Sequence, residues 1–211
     1  MAKWMAAGAA VAGAVGYLML AGSPATAAIV GTKHDFSAAG WNSTGEICVT
    51  CHTPHNSDTT VAGAPLWNHK VTQTVFTLYS SATLDAIVNQ PDGASRLCLS
   101  CHDGTVALDA FSRANPVPGT FIQGSAMLSP DLNNDHPISF DYTAALAATD
   151  GTLRDPTVAL TPLGGTIKRD FLRGSDRMQC SACHEVHGNG NAKFLRVNNA
   201  GSALCLTCHN K

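Results

Sequence analysis

The sequence predicts a mostly irregular fold with short α-helices, and three observations lead there. Residues 115–137 (NPVPGTFIQGSAMLSPDLNNDHP), 155–166 (DPTVALTPLGGT) and 188–203 (GNGNAKFLRVNNAGSA) are long stretches rich in Gly, Pro, Asn and Ser. Segments of that kind are out of place in a compact layered domain. All eight cysteines recur in one five-residue pattern, described below. Finally, only about 183 residues follow an N-terminal targeting segment, too few to surround several bulky centres with an ordinary apolar core.

The pattern is Cys-x-x-Cys-His. It stands at Cys48/Cys51/His52, Cys98/Cys101/His102, Cys180/Cys183/His184 and Cys205/Cys208/His209, and no cysteine is left over. A lone Cys-x-x-Cys pair fits zinc, a redox dithiol or haem attachment. Tetrathiolate zinc places no demand on the residue after the pair. Covalent haem c does, because two thiols form thioethers to the porphyrin and the adjacent imidazole becomes an axial ligand of iron. Four motifs therefore predict four covalently attached haem c groups, with the chain wrapped around them. Each haem then has about 46 residues of cover, so long loops over porphyrin faces replace conventional layers. Short helices are expected at Thr83–Gln90, Ala94–Phe111, Ser175–Val186 and Ser202–Asn210. The last three each carry a motif, and Ser202 is the expected N-cap of the final one.

The first residues read as a signal peptide, 1–27. Lys3 supplies the positive charge, Met5 to Gly22 is apolar and uncharged, and Ala25-Thr26-Ala27 offers a small-residue cleavage site after Ala27 or Ala28. An uncleaved anchor is the alternative, since the run is near the lower limit for a span. No later stretch is long and apolar enough to cross a bilayer, so the mature protein at 28–211 is expected to be exported and free of membrane spans. Charged residues make up 13%, the net charge is −2, and no Lys/Arg cluster occurs, which argues against a nucleic-acid partner. Low surface charge also leaves self-association weakly opposed.

The motifs form an internal repeat. CVTCHTPH and CSACHEVH both carry a second histidine three residues past the first; LCLSCH and LCLTCH share flanking leucines. A histidine precedes each first-type motif, His34 and His136. Diverged halves are thus expected, about 28–120 and 121–211, with a soft boundary at 115–130.

Four irons need four distal ligands, and the candidates are His34, His55, His136, His187 and His69. On a helical turn His55 and His187 lie on the same face as His52 and His184. Neither reaches round to the far side of its neighbour's iron, so each must serve another haem or none. The expected pairing is His34 with the first haem, His55 with the second, His136 with the third and His187 with the fourth, His69 being a substitute. The mature chain has only Met127 and Met178 as alternative axial ligands. Bis-histidine irons have no open coordination position, which favours an electron carrier over an enzyme.

CHTPHN followed by APLWNH, then LCLSCHDG, HPISFDY, CHEVHG and a terminal CLTCH resemble the multihaem cytochromes c of metal-respiring bacteria. The likeness is to the extracellular tetrahaem type represented by outer-membrane cytochrome E. That resemblance implies a subunit that polymerises with copies of itself into filaments of stacked bis-histidine haems, outside the cell or on its surface. One axial histidine is then supplied by the next subunit. His34, close to the mature N-terminus, is the first choice of donor. Redox partner cytochromes and extracellular electron acceptors are the implied partners. The runner-up is a soluble periplasmic tetrahaem shuttle. A haem enzyme acting on a small nitrogen compound is a third reading and needs one iron without a distal ligand.

Overall fold

The computed structural model describes residues 29–188 and 190–211; the expected signal peptide at 1–27 lies outside them. Among the described residues, five short α-helices, α1 (Gly93–His102), α2 (Ala144–Asp150), α3 (Ile167–Asp170), α4 (Cys180–Cys183) and α5 (Ala203–Cys208), stand among turns, three single 3-10 turns and extended segments. One two-stranded antiparallel sheet joins β1 (Phe140–Asp141) to β2 (Arg177–Met178), with Phe140 opposite Met178 and Asp141 opposite Arg177.

Side-chain turns give the irregular chain its shape. Asp35/Ser37, Asn42/Thr44, Asp58/Thr60, Asp103/Thr105, Asp150/Thr152 and Asp155/Thr157 repeat one device. In each, the side-chain oxygen of the first residue accepts from the backbone N–H and the hydroxyl two residues on. These are Asx-turns, which compete with helix for the local backbone groups. One of them ends α1. The Asp103 carboxylate accepts from Thr105 N–H at 2.7 Å and from the Thr72 hydroxyl at 2.5 Å, so the helix expected to run from Ala94 to Phe111 stops at His102.

The segment expected as a helix at Thr83–Gln90 is not helical. Pro91 biases the residue before it toward extended backbone. The Gln90 side chain then pairs with Phe76 like a peptide unit, accepting from its N–H and donating to its C=O, both at 2.9 Å. In the segment expected as a helix at Ser175–Val186, Arg177 and Met178 are taken by the sheet, leaving one helical turn, α4, on the motif itself. Helix α5 begins after Ser202, whose φ of +62° leaves its side chain without a capping bond. Helices α2 and α3 have Thr143 and Thr166 as true N-caps, accepting from Leu146 N–H at 3.1 Å and Arg169 N–H at 3.3 Å.

Apolar residues gather in small clusters rather than one core. The largest surrounds Phe140, Tyr142, Ile167, Phe171, Leu172 and Met178; smaller ones form around Val61, Trp67, Val71 and Leu97, and around Phe76, Leu99 and Leu132. The two halves of the sequence meet where α1 packs on α4. Gln179 donates to Asp92 at 2.6 Å and accepts from Ser95 N–H at 3.0 Å, while Ser95 Oγ accepts from Cys180 N–H at 3.0 Å. Arg177 closes the seam on Asp92 at 2.5 Å and Asp141 at 3.1 Å. Gly93 is required there: its φ is +44°, and a Cβ would stand 3.3 Å from Gln179 Nε2.

Candidate haem-attachment sites

The first, third and fourth motifs are each clasped by an extended segment. At the first, Cys51 C=O accepts from Asn68 N–H (3.0 Å), His52 bridges Trp67, and Thr53 N–H donates to Leu66 C=O (2.9 Å). At the third, Cys183 C=O accepts from Arg196 N–H (2.9 Å), His184 bridges Leu195, and Glu185 N–H donates to Phe194 C=O (2.8 Å). The two clasps match bond for bond. Leu66 and Phe194, with φ of +53° and +59°, occupy the same left-handed position. The fourth motif uses the same pairing with a segment that precedes it. Arg154 N–H donates to Cys208 C=O, Leu153 bridges His209, and Asn210 N–H donates to Thr152 C=O.

The clasp fixes the motif imidazoles from behind. His52 Nδ1 lies 2.6 Å from Pro65 C=O, His102 Nδ1 2.7 Å from Ala126 C=O, and His184 Nδ1 2.9 Å from Lys193 C=O. A carbonyl makes Nδ1 the protonated nitrogen and leaves the Nε2 lone pair free, the arrangement that metal-bound histidines adopt.

Three pairs of imidazoles then lie close together. Ring centres are 5.9 Å apart for His52 and His187, with planes 25° apart. For His34 and His102 the values are 6.0 Å and 86°, and for His136 and His209 they are 6.3 Å and 73°. Two metal–nitrogen bonds of about 2 Å plus the two half-rings need about 6 Å between ring centres. His34 therefore stands by the second motif rather than the first, His187 by the first rather than the fourth, and His136 by the fourth rather than the third. Burial, then the charges of His102, His184 and His187, lower the His34 pKa to about 4, which keeps the ring neutral. Burial, then His136 and Lys211, lower that of His209.

Three histidines remain. His55 is exposed on the turn after the first motif, and His184 has its Nδ1 anchored. Among the described residues neither has a second imidazole facing it. His69 is 2% exposed; its Nδ1 lies 2.9 Å from Lys70 C=O and its Nε2 3.0 Å from Ala107 C=O. Both its nitrogens lie against main-chain carbonyls, to one of which the neutral ring can donate, and burial lowers its pKa.

The thiols follow the order of the chain. Cys51 lies near Cys98 and Cys101, Cys98 lies near Cys180, and Cys183 lies near Cys205 and Cys208. All eight are free, and burial holds Cys183 and Cys208 up at about 11 and about 12. Among the described residues no group of three or more Cys, His, Asp or Glu is placed to hold a bare metal ion.

Three buried polar atoms among the described residues lack a protein partner: Trp67 Nε1, Arg196 Nε and His34 Nδ1. Trp67 and Arg196 belong to clasps and His34 faces a motif histidine, so the polar edge of a bound haem would meet them. The residues fit the group. The anchoring carbonyls of Pro65, Ala126 and Lys193 escaped the sequence reading, because a main-chain acceptor has no residue signature.

Residues 175–211, the third and fourth motifs, match the family described as the doubled CXXCH motif. No curated protein matches the chain. The match supports a multihaem c-type cytochrome that binds haem c covalently through its CXXCH motifs, and it suggests haem-based electron transfer rather than classical enzyme chemistry. Among the described residues no helix is long and apolar enough to cross a membrane.

Proposed function

We propose that the chain carries electrons through four bis-histidine haem c groups, and that copies join into an extracellular filament, as in the tetrahaem outer-membrane cytochrome E type it resembles. The observation that carries the reading is the set of three imidazole pairs with ring centres 5.9 to 6.3 Å apart. Bound haem c supplies a one-electron iron couple. The protein supplies orientation: carbonyls hold Nδ1, clasps hold the motif turns, and paired rings occupy both axial positions. His187 completes the first site while His184, three residues earlier, belongs to the third, so the short non-helical turn that follows α4, where the sequence spacing predicts a helical one, ties two centres together. His69 serves as a brace and is not a ligand.

The same logic extends between copies. His55 occupies in the first clasp the place that His187 has in the third, yet it faces no imidazole, and His184 is the motif histidine without a distal partner. His55 of one copy therefore ligates the His184 site of the next, a role that falls to His55 rather than His34 because His34 is engaged by His102. A head-to-tail contact of this kind repeats without closing and generates a filament. Export across the membrane and electron transfer to external acceptors complete the proposal.

The test is His55→Ala in haem-loaded protein recovered from the culture medium. The expected result is four haems, one of them high-spin and able to bind cyanide, with monomers replacing filaments in electron micrographs. Four low-spin haems and intact filaments would refute the exchange. A wild-type protein that is low-spin, monomeric and periplasmic would instead be a diffusing shuttle.

A further inference from the structure

His187 differs from the other site histidines in what stands behind it. The Nδ1 atoms of His52, His102, His184 and His136 lie 2.6 to 2.9 Å from main-chain carbonyls, of Pro65, Ala126, Lys193 and Pro137. His187 Nδ1 instead faces a carboxylate, Glu185 Oε1, at 3.5 Å, and its backbone N–H donates to the same oxygen at 3.4 Å. The other carboxylate oxygen, Oε2, is held by Arg173 Nη2 and Arg196 Nη1, both at 3.1 Å. The arginines leave Oε1 for the imidazole. At the matching place in the first clasp stands Thr53, whose hydroxyl donates to His55 C=O at 2.9 Å and presents no charge. The duplication has thus been broken at one residue.

We propose that Glu185 is a positioning residue that backs His187 and lowers the reduction potential of the centre between His52 and His187. This rests on the bis-histidine reading above. A carboxylate accepting from Nδ1–H draws the proton toward itself and makes Nε2 a stronger donor. A stronger donor favours ferric over ferrous iron, so the centre holds its electron less tightly. The cluster of one carboxylate and two guanidinium groups carries a net charge of +1, so simple Coulomb attraction from Glu185 does not reach the more distant centres unopposed. The effect is therefore local to the iron that His187 ligates, although Glu185 is the direct neighbour of His184 in sequence.

The variants are Glu185→Gln, in which the cluster charge rises to +2, and the double variant Glu185→Gln/Arg173→Gln, in which it returns to +1. Arg173 is half exposed, so its loss perturbs packing little. The readouts are the four potentials from spectroelectrochemical titration and the low-spin EPR spectrum. The expected result is one potential raised in both variants, by about tenfold in the reduction equilibrium or about 59 mV for one electron. The EPR signal of the same centre broadens in g-spread, with all four haems retained. Return of the double variant to wild-type potentials would show a plain charge effect and overturn the proposal, as would unchanged potentials in both. A wild type without bis-histidine EPR signals would overturn the haem-pair reading itself, a result separate from either of these.

Discussion

At the scale of single residues, the division of labour among the nine histidines is decided by which nitrogen the backbone takes. Where one carbonyl claims Nδ1, as at His52, His102 and His184, the ring is left with one lone pair directed away from its anchor. Where carbonyls lie against both nitrogens, as at His69, the one remaining lone pair points at a carbonyl oxygen rather than toward an open position. His69 instead ties Val71 and Lys70 to the loop at Ala107, beside Cys101 Sγ at 3.6 Å. Replacing it by Gln should leave haem content and the low-spin spectrum unchanged. It should lower stability by about 1–3 kcal/mol, the cost of leaving a buried carbonyl poorly satisfied. Denaturant unfolding of the haem-loaded protein measures this. Loss of a low-spin haem would make His69 a ligand after all. The surplus of one histidine over the eight axial positions, evident from the sequence as a count, is what this variant tests.

At the scale of elements, the repeated clasp explains both what was legible in the sequence and what was not. The motifs and the Asp-x-Thr turns are local, so their residues announce them. The likeness of CVTCHTPH to CSACHEVH foretold two matching sites, and the clasps at Leu66–Asn68 and Phe194–Arg196 match bond for bond. The partners of the distal histidines depend on long-range placement. His187 crosses to a motif more than 130 residues earlier, and no periodicity encodes that. The helical segments are shorter than the sequence suggests for a related reason: Asp103 accepts from the hydroxyl of distant Thr72, and Gln90 pairs with the backbone of Phe76, which stops helical propagation. The clasps also set ring angles, which gives an observable. Near-perpendicular rings leave the iron d-orbitals that bond to them close in energy, whereas near-parallel rings split them. The His34/His102 and His136/His209 centres, at 86° and 73°, should each show one low-spin ferric EPR feature at large g. The His52/His187 centre, at 25°, should show a resolved rhombic spectrum. Spin quantification that finds only rhombic signals would show that the rings turn when haem binds.

For the whole molecule, the consequence of an unequal repeat is polarity. Had His55 and His184 met within one chain as His187 and His52 do, the halves would exchange ligands reciprocally and the unit would be closed. In the proposed exchange one ligand pairing is made internally and the other is left open, so each copy would have one donating end and one accepting end and growth would be directional. A His55→Ala chain keeps its accepting site but donates nothing, so it behaves as a terminator for one end only. Mixed one to one with wild-type subunits during assembly, it should shorten filaments to an average of about two subunits, the value expected when half of the incorporated copies cannot continue a head-to-tail series. The shortened species should contain one high-spin haem for each chain whose His184 site lacks a donor. Lengths measured by electron microscopy across a series of mixing ratios provide the check. A mean length that varies as the inverse of the mutant fraction identifies His55 as the link, whereas variant chains that enter filaments without ending them would mean that the contact between copies lies elsewhere on the surface.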